Sequence, residues 1–501
     1  MPRAPLLLIA LLAPLAPLAP SAQQPDYDVL ITNGRVLDGA GNPWFAADIA
    51  ISAGRIVAVG RIDGAKATRV IDAAGLVVAP GFIDVHSHAA EGLGGALNTA
   101  VPLLAQGITT VLINPDGGGP TDLTSQRTAL EARGVGVNVA QFVPHGSVRG
   151  AVLGMADRAP TAEELATMTA LVRTGMEAGG LGLSSGLYYA PGSYAKTEEV
   201  IALAKVAGEF GGVYSSHIRD EADYSIGVVA SVQEVIRIAE EAHLPGVASH
   251  MKALGPAQWG LSVALTTRIE QARARGVQVY ADQYPYEASG TGLTAALVPR
   301  WAQVGGRDEF AKRLVGADRE RIKAAIAENI SRRGGPDTLV ISSYAPEHAL
   351  EGKSLAAIAA ERRIAAVDLV VALLERCDGG LVSFNMSERD IAHIMRQPWT
   401  MTCTDGELTA PGQGKPHPRG YGAFARKLGV YVRERDVVGL ADAVRSMTSL
   451  PAQVFGLRLV LVHPGDQSNG PLVRQIGAGP LDEHCEPVAE ADQPDDVDEQ
   501  P

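Results

Sequence analysis

The stretch GFIDVHSH, residues 81–88, ends an apolar run with two histidines one residue apart. In a strand, residues i and i+2 share a face, so His86 and His88 point the same way and can clamp one cation through neutral imidazole. An H-x-H pair alone carries little weight. The sequence on either side of it decides the fold.

Upstream, residues 27–80 run through YDVLITNGRVLDG, ADIAISAGRIVAVG and RVIDAAGLVVAPG. Alternating apolar positions, broken at Asn-Gly and Ala-Gly, predict short antiparallel strands and hairpins. We read 23–80 as a small, β-sandwich-like N-terminal module, which the C-terminal segment could also join. Downstream the pattern changes to apolar strands alternating with amphipathic helices. Thr161 and Glu164 form a capping box ahead of Leu165, Met168 and Leu171. A helix through Val200, Leu203, Val206 and Phe210 stops at Gly211-Gly212 and is followed by the strand GVYSSH. Further units follow as SVQEVIRIAEEA with GVASHMK, and RIEQARARG with VQVYADQYPY. Repeated β–α units of this length predict an α/β fold, a TIM-type (β/α)8 barrel over 81–457. Residues 291–345 break the rhythm with charged helical stretches and the loop SRRGGPD, and read as an inserted subdomain. The barrel is then expected to resume with a helix near 354–376, LVSFNM and TMTCTDG.

The net charge of −13 argues against nucleic acid or an anionic membrane surface as partner. Residues 1–22, with Arg3, a short apolar core and small residues near Ser21 and Ala22, predict a cleaved signal peptide and a periplasmic or secreted protein. No later segment is long and apolar enough to span a membrane. Cys377, Cys403 and Cys485 form no disulfide framework or zinc-knuckle spacing. The acidic tail within 458–501 is expected to be partly disordered.

In a barrel, polar residues at the C-terminal ends of strands face the catalytic mouth. Here those positions are His86, His88, Asp116, His217, His250, Lys252, Tyr284 and Asp405. By spacing alone, His217 could be a core histidine, and Asp116 and Asp405 could be turn residues before glycine.

Five motifs in order narrow the choice: VVAPGFIDVHSH, LSSGLYYAPGSYAKTEE, VYSSHIRDE, SHMKALGPAQWG, and TDGELTAPGQGKPHPRGYGAFARKLGVYVRE followed by MTSLPAQVFGL. Together they resemble the D-aminoacylase branch of the amidohydrolase superfamily, the N-acyl-D-amino-acid deacylases, over roughly residues 27–457. The resemblance implies one or two divalent metal ions, zinc foremost. His86 and His88 match the first ligand pair, and His217 and His250 match the later pair. Asp405 matches the aspartate that both binds metal and moves the proton. Arg419, Lys252 and Tyr284, with Ser289, match the groups that hold the carboxylate of a small N-acyl amino acid. The D preference rests on the resemblance alone.

The chain also departs from the pattern. Many relatives carry a metal-binding cysteine after the strand written here as GITTVLINPDGGG, yet no cysteine occurs before Cys377. Asp116 stands at the equivalent place, with Asn114 as the other candidate, and a carboxylate can bridge two cations. LGLSSG lacks the bridging lysine of other amidohydrolases, and Ala89-Ala90 replace residues that are often acidic. Asp220 and Glu221 are expected to orient Arg219. After FGL the chain continues RLVLVHPGDQSNG rather than with the family's usual closing strands. An incomplete sheet would leave an edge that favours a homo-oligomer. Cyclic amides and D-amino-acid dipeptides stay open as alternative substrates, as does a non-catalytic binding protein.

Overall fold

The computed structural model describes residues 25–457; the leader at 1–22, the segment 458–501 and Cys485 lie outside them. One compact unit comprises residues up to Val36 together with Trp44–Val78, and the other comprises Leu37–Pro43 and the described chain from Ala79 onward.

The first unit is one five-stranded sheet: β1 (Tyr27–Val36), β2 (Phe45–Ser52), β3 (Arg55–Gly60), β4 (Ala67–Asp72) and β5 (Val77–Val78). Its order is β3-β2-β1-β4, with β5 also on β1. The hairpins β1–β2 and β2–β3 are antiparallel as expected, but β4 and β5 run parallel to β1. This corrects the all-antiparallel reading: the chain leaves β3 on one edge and crosses over to pair on the far side of β1. Among the described residues the module is a single sheet rather than a sandwich. Its core is small, centred on Val36, Ala47 and Ile49, while Ile56, Val57, Val59 and Val70 stay exposed.

The second unit is built on parallel strands: β6 (Phe82–Asp84), β7 (Ile108–Ile113), β8 (Asn138–Gln141), β9 (Val143–Pro144), β10 (Gly182–Gly186), β11 (Val213–His217), β12 (Gly246–Ala248) and β13 (Val279–Gln283). β8 and β9 are one strand interrupted at Phe142, and so join the run β6-β7-β8 to the run β9 through β13. An antiparallel sheet then intervenes, made of β14 (Ala288–Gly292), β15 (Leu339–Ser343) and β16 (Gly380–Phe384). β17 (Thr400–Thr402) returns beside β13. The ring closes where the Asp405 N–H donates to the His86 carbonyl at 2.9 Å and the Thr404 N–H to Asp84 Oδ1 at 2.8 Å. The result is the (β/α)8 barrel, whose strands read as apolar runs because both faces are covered. The capping box at Thr161 forms as expected, with both reciprocal bonds, and starts the helix Ala162–Glu177.

The insertion is larger than 291–345. β15 and β16 share a separate core with the helices Arg319–Arg332, Leu355–Arg362 and Ala366–Arg376, centred on residues such as Leu297, Ile326, Ile341 and Leu369. The stretch LVSFNM therefore belongs to the insertion and not to the barrel, because it pairs antiparallel with β14. Apolar periodicity announces a strand but not the sheet it joins.

One buried cation lies behind β17. Lys427 is 3% exposed and donates to Thr402 Oγ1 (2.9 Å) and Ser446 Oγ (2.7 Å). Burial pushes its ammonium down to about 7, against a weaker upward pull from Cys403. The unfolded chain thus binds more protons between about 7 and the ordinary lysine value of about 10.4, and this group's contribution to stability rises with pH across that window. Lys427→Met should therefore raise stability at neutral pH by about 2 kcal/mol and flatten the rise toward alkaline pH. Thr402 and Ser446 keep their mutual hydrogen bond of 3.1 Å. Urea denaturation of both proteins across that pH range checks it; a destabilised variant with an unchanged slope would sink the idea.

Candidate active site at the barrel mouth

The strand ends converge on Asp116. Its carboxylate lies 3.3 Å from His86 Nε2, 3.5 Å from His88 Nε2, 3.6 Å from His217 Nδ1 and 3.6 Å from His250 Nε2. Asp405 Oδ1 lies 3.2 Å from His88 Nε2 and 3.5 Å from His86 Nε2. All six expected metal ligands therefore meet in one place. Asp116 is also the turn residue that spacing allowed: the Gly118 N–H donates to the Pro115 carbonyl at 3.0 Å, with φ of 56° at Asp116 and 70° at Gly117. Gly117 is required here, because a Cβ would come within 2.8 Å of the Gly146 nitrogen. Asn114 turns away and exchanges hydrogen bonds with Gln126 (2.8 and 2.9 Å).

Asn114, Asp116, His250 and Asp405 all have positive φ, at 62°, 56°, 35° and 48°. That conformation is uncommon outside glycine, and such strain collects where surrounding structure holds a functional geometry. The electrostatics agree. Burial opposes charge on His88, but Asp116 and Asp405 overcome it and push its pKa up to about 10. His250 is pushed up to about 9 despite burial and Lys252, through Asp405, Asp116 and Glu221. Burial also works against ionised Asp405 and Asp116, yet Arg419 with the histidines holds Asp405, and the histidines hold Asp116, well below the usual carboxylate range. The cluster demands positive charge.

A divalent cation fits that demand. Both ring nitrogens of His86 and of His217, and Asp116 Oδ1, are buried without a hydrogen-bond partner, which is rare for buried polar atoms. Two groups have ligand atoms within 4.8 Å of one another: His86, Asp116, His250 and Asp405, and His217, Glu221 and His250. Imidazole with carboxylate is a donor set that suits zinc.

The expected carboxylate-binding residues divide. Arg419 Nη1 donates to Asp405 Oδ2 at 2.5 Å and Nη2 to the Gly290 carbonyl at 3.3 Å, with the guanidinium 4.7 Å above the Tyr284 ring. Burial pushes the Tyr284 phenol up to about 12 against Lys252 and Arg419. Lys252 is more deeply engaged, donating to Glu221 and lying 2.8 Å from His250 Nδ1. Ser289, next to Gly290, donates its hydroxyl to Asn385 Oδ1 at 3.2 Å.

Glu221 belongs to the site and not to Arg219. Arg219 pairs with Glu234 at 2.7 Å, and Asp220 accepts from the backbone of Ala222, Ser225 and Gly227. The four-residue step from His217 to Glu221 was the available signal. Tyr188 and Tyr189 were also missed. Their rings lie 5.2 and 4.6 Å from that of His217. The Tyr188 hydroxyl accepts from Arg333 of the insertion at 3.0 Å, a contact no local pattern announces. His417 donates to the Ala288 carbonyl (2.9 Å) and accepts the Arg419 N–H (3.1 Å), so its ring is neutral. Burial, with Arg419, pushes its pKa down to about 3. A cleft of about 1930 Å³ opens over the cluster, walled by barrel loops and by the insertion.

Residues 69–466 match the amidohydrolase family. The chain belongs to that family. Within it, this amidohydrolase is 35% identical over 460 residues to an N-acyl-D-glutamate deacylase of Alcaligenes xylosoxydans xylosoxydans, covering 87% of this chain and 84% of the relative. It is 33% identical to a D-aminoacylase of the same organism, covering 87% and 85%. The crystal structure of an N-acyl-D-glutamate deacylase from Bordetella bronchiseptica, complexed with zinc and a phosphonate mimic of the tetrahedral intermediate, superposes with a TM-score of 0.74 at 34% identity and covers 88% of each chain. These relatives put the amidohydrolase in the D-aminoacylase branch.

Proposed function

We propose that this amidohydrolase cleaves the amide bond of N-acyl-D-amino acids, releasing a carboxylate and a D-amino acid. The observation that carries the reading is the Arg419–Asp405 pair. It sets a carboxylate-binding guanidinium beside a carboxylate that faces the histidine cluster. The substrate's scissile amide is next to a free carboxylate, so one molecule can span the two. Guanidinium has five N–H donors, and Asp405 and Gly290 occupy only part of them.

His86, His88, His217, His250, Asp116 and Asp405 would hold one or two zinc ions. When bound, zinc polarises the scissile carbonyl and lowers the pKa of water. Asp405, kept ionised by Arg419, accepts the proton of the attacking water and delivers it to the leaving nitrogen. Tyr284 supports Arg419 from beneath the guanidinium. Lys252 and Glu221 fix the Nδ1 side of His250 and so orient the ring, as partners of ligand histidines do. Residues 1–22 support export, and with it a periplasmic or secreted location.

Amine release from paired N-acetyl-D- and N-acetyl-L-methionine tests the reading. The zinc-loaded protein should turn over the D form, and a chelator should abolish that turnover. Turnover of the L form alone would refute it. The relatives are named for D-glutamate and D-aspartate as well as for D-amino acids in general, so the side chain accepted here is a separate question.

A further inference from the structure

The walls of the cleft carry a charge pattern that bears on that question. Arg419 is the only lysine or arginine among the described residues that line it. Its Nη atoms already meet Asp405 and Gly290, and in the deacylase reading its remaining donors take the carboxylate beside the scissile amide. The cations just behind the walls are engaged too. Lys252 donates to Glu221, and Arg333 donates to the Tyr188 hydroxyl and to Ser383 Oγ. His417 is held neutral by its two hydrogen bonds.

Acidic groups line the same walls from four separate segments: Glu91, Glu351, Asp378 and Glu407. Asp378 is fixed in place, its Oδ1 accepting the N–H groups of Thr294 (3.0 Å) and Gly379 (2.9 Å). Glu351 accepts the Tyr344 N–H at 2.9 Å and lies 2.8 Å from His348 Nδ1. Lys415, exposed beside this rim, adds its field to Glu351 and does not line the cleft. A second carboxylate on the substrate would thus meet like charge and, among the described residues that line the cleft, no unengaged basic group, and unpaired charge brought out of water is costly.

We propose that the cleft admits one carboxylate, the one beside the scissile amide, so that the enzyme prefers N-acyl-D-amino acids with neutral or basic side chains and selects against acidic ones. The inference rests on the deacylase reading and adds the side-chain class to it. The cleft is also larger than the 300–1,000 Å³ or so of ordinary small-molecule pockets, so volume does not impose the selection. Discrimination of this kind works by repulsion and a missing partner.

N-acetyl-D-glutamine and N-acetyl-D-glutamate differ in charge but hardly in shape, which makes them the probe. With the full-length zinc-loaded protein, kcat/KM for the glutamine compound should exceed that for the glutamate compound by about tenfold or more. Added salt should narrow the gap, because exposed charges are screened. The double variant Asp378→Asn, Glu407→Gln should raise the glutamate value relative to the glutamine value. Equal or faster turnover of the glutamate compound would overturn the inference and leave the deacylase reading standing. A gap indifferent to both salt and the double variant would overturn it as well. If neither compound nor N-acetyl-D-methionine is hydrolysed by zinc-loaded protein, the deacylase reading itself falls.

Discussion

Asp405→Asn is expected to lower kcat by about 10³-fold, within the range attributed to positioned acid–base groups, while KM changes little. Asparagine preserves the size of the side chain and tolerates the positive φ of 48° at this position. It cannot accept a proton from water at neutral pH. Because Asp405 is itself one of the grouped ligand atoms, the comparison is made at saturating zinc, with bound metal measured on the same sample. Retained metal with lost turnover assigns the loss to proton transfer. Parallel loss of both would assign Asp405 to metal holding. Activity within a few fold of the parent would remove it from the reaction. Arg419 is affected as well, because its Nη1 bond to Asp405 Oδ2 at 2.5 Å becomes a bond from a cation to a neutral amide oxygen in the variant and loses the ion-pair partner.

How far the sequence could be read follows from which interactions are local. The barrel was legible because each β–α unit carries its own punctuation, such as the capping box at Thr161 and the Gly211-Gly212 stop before β11. The meeting of His86, His88, His217, His250 and Asp405 was legible because they follow strand ends, where the fold imposes convergence; the ligand roles came from the family resemblance. Partner choice was less legible. Lys252 was expected to face substrate, but its ammonium is committed to Glu221, 31 positions away in the chain. LVSFNM was read as a barrel strand, although its partner is β14, whose five residues carry no mark of which sheet they edge. The parallel return of β4 to β1 depends likewise on a crossover that alternation cannot encode. In each case the missing fact was a long-range pairing between segments that look ordinary alone.

Asp116 gives the second large effect, because one side chain stands within 3.3 to 3.6 Å of all four histidines. Asp116→Asn should cut zinc affinity on the order of 10²-fold or more, since even partners that only orient ligands are worth about 10- to 100-fold. Asparagine accepts the αL backbone of the Pro115–Gly118 turn, so the fold should survive, with unchanged far-ultraviolet circular dichroism. Bound metal per chain after dialysis against zinc buffers measures the result. Asp116→Cys separates two explanations. If the position is a ligand, thiolate should restore zinc binding and shift preference away from harder cations such as manganese, because soft sulfur favours zinc. If Asp116 serves only the turn, Asp116→Asn should bind zinc as tightly as the parent, and Asp116→Cys should change neither affinity nor metal preference. A central carboxylate would then be a buried counter-charge for histidines, and the metal positions would have to be drawn from His86, His88, His217, His250, Glu221 and Asp405 alone.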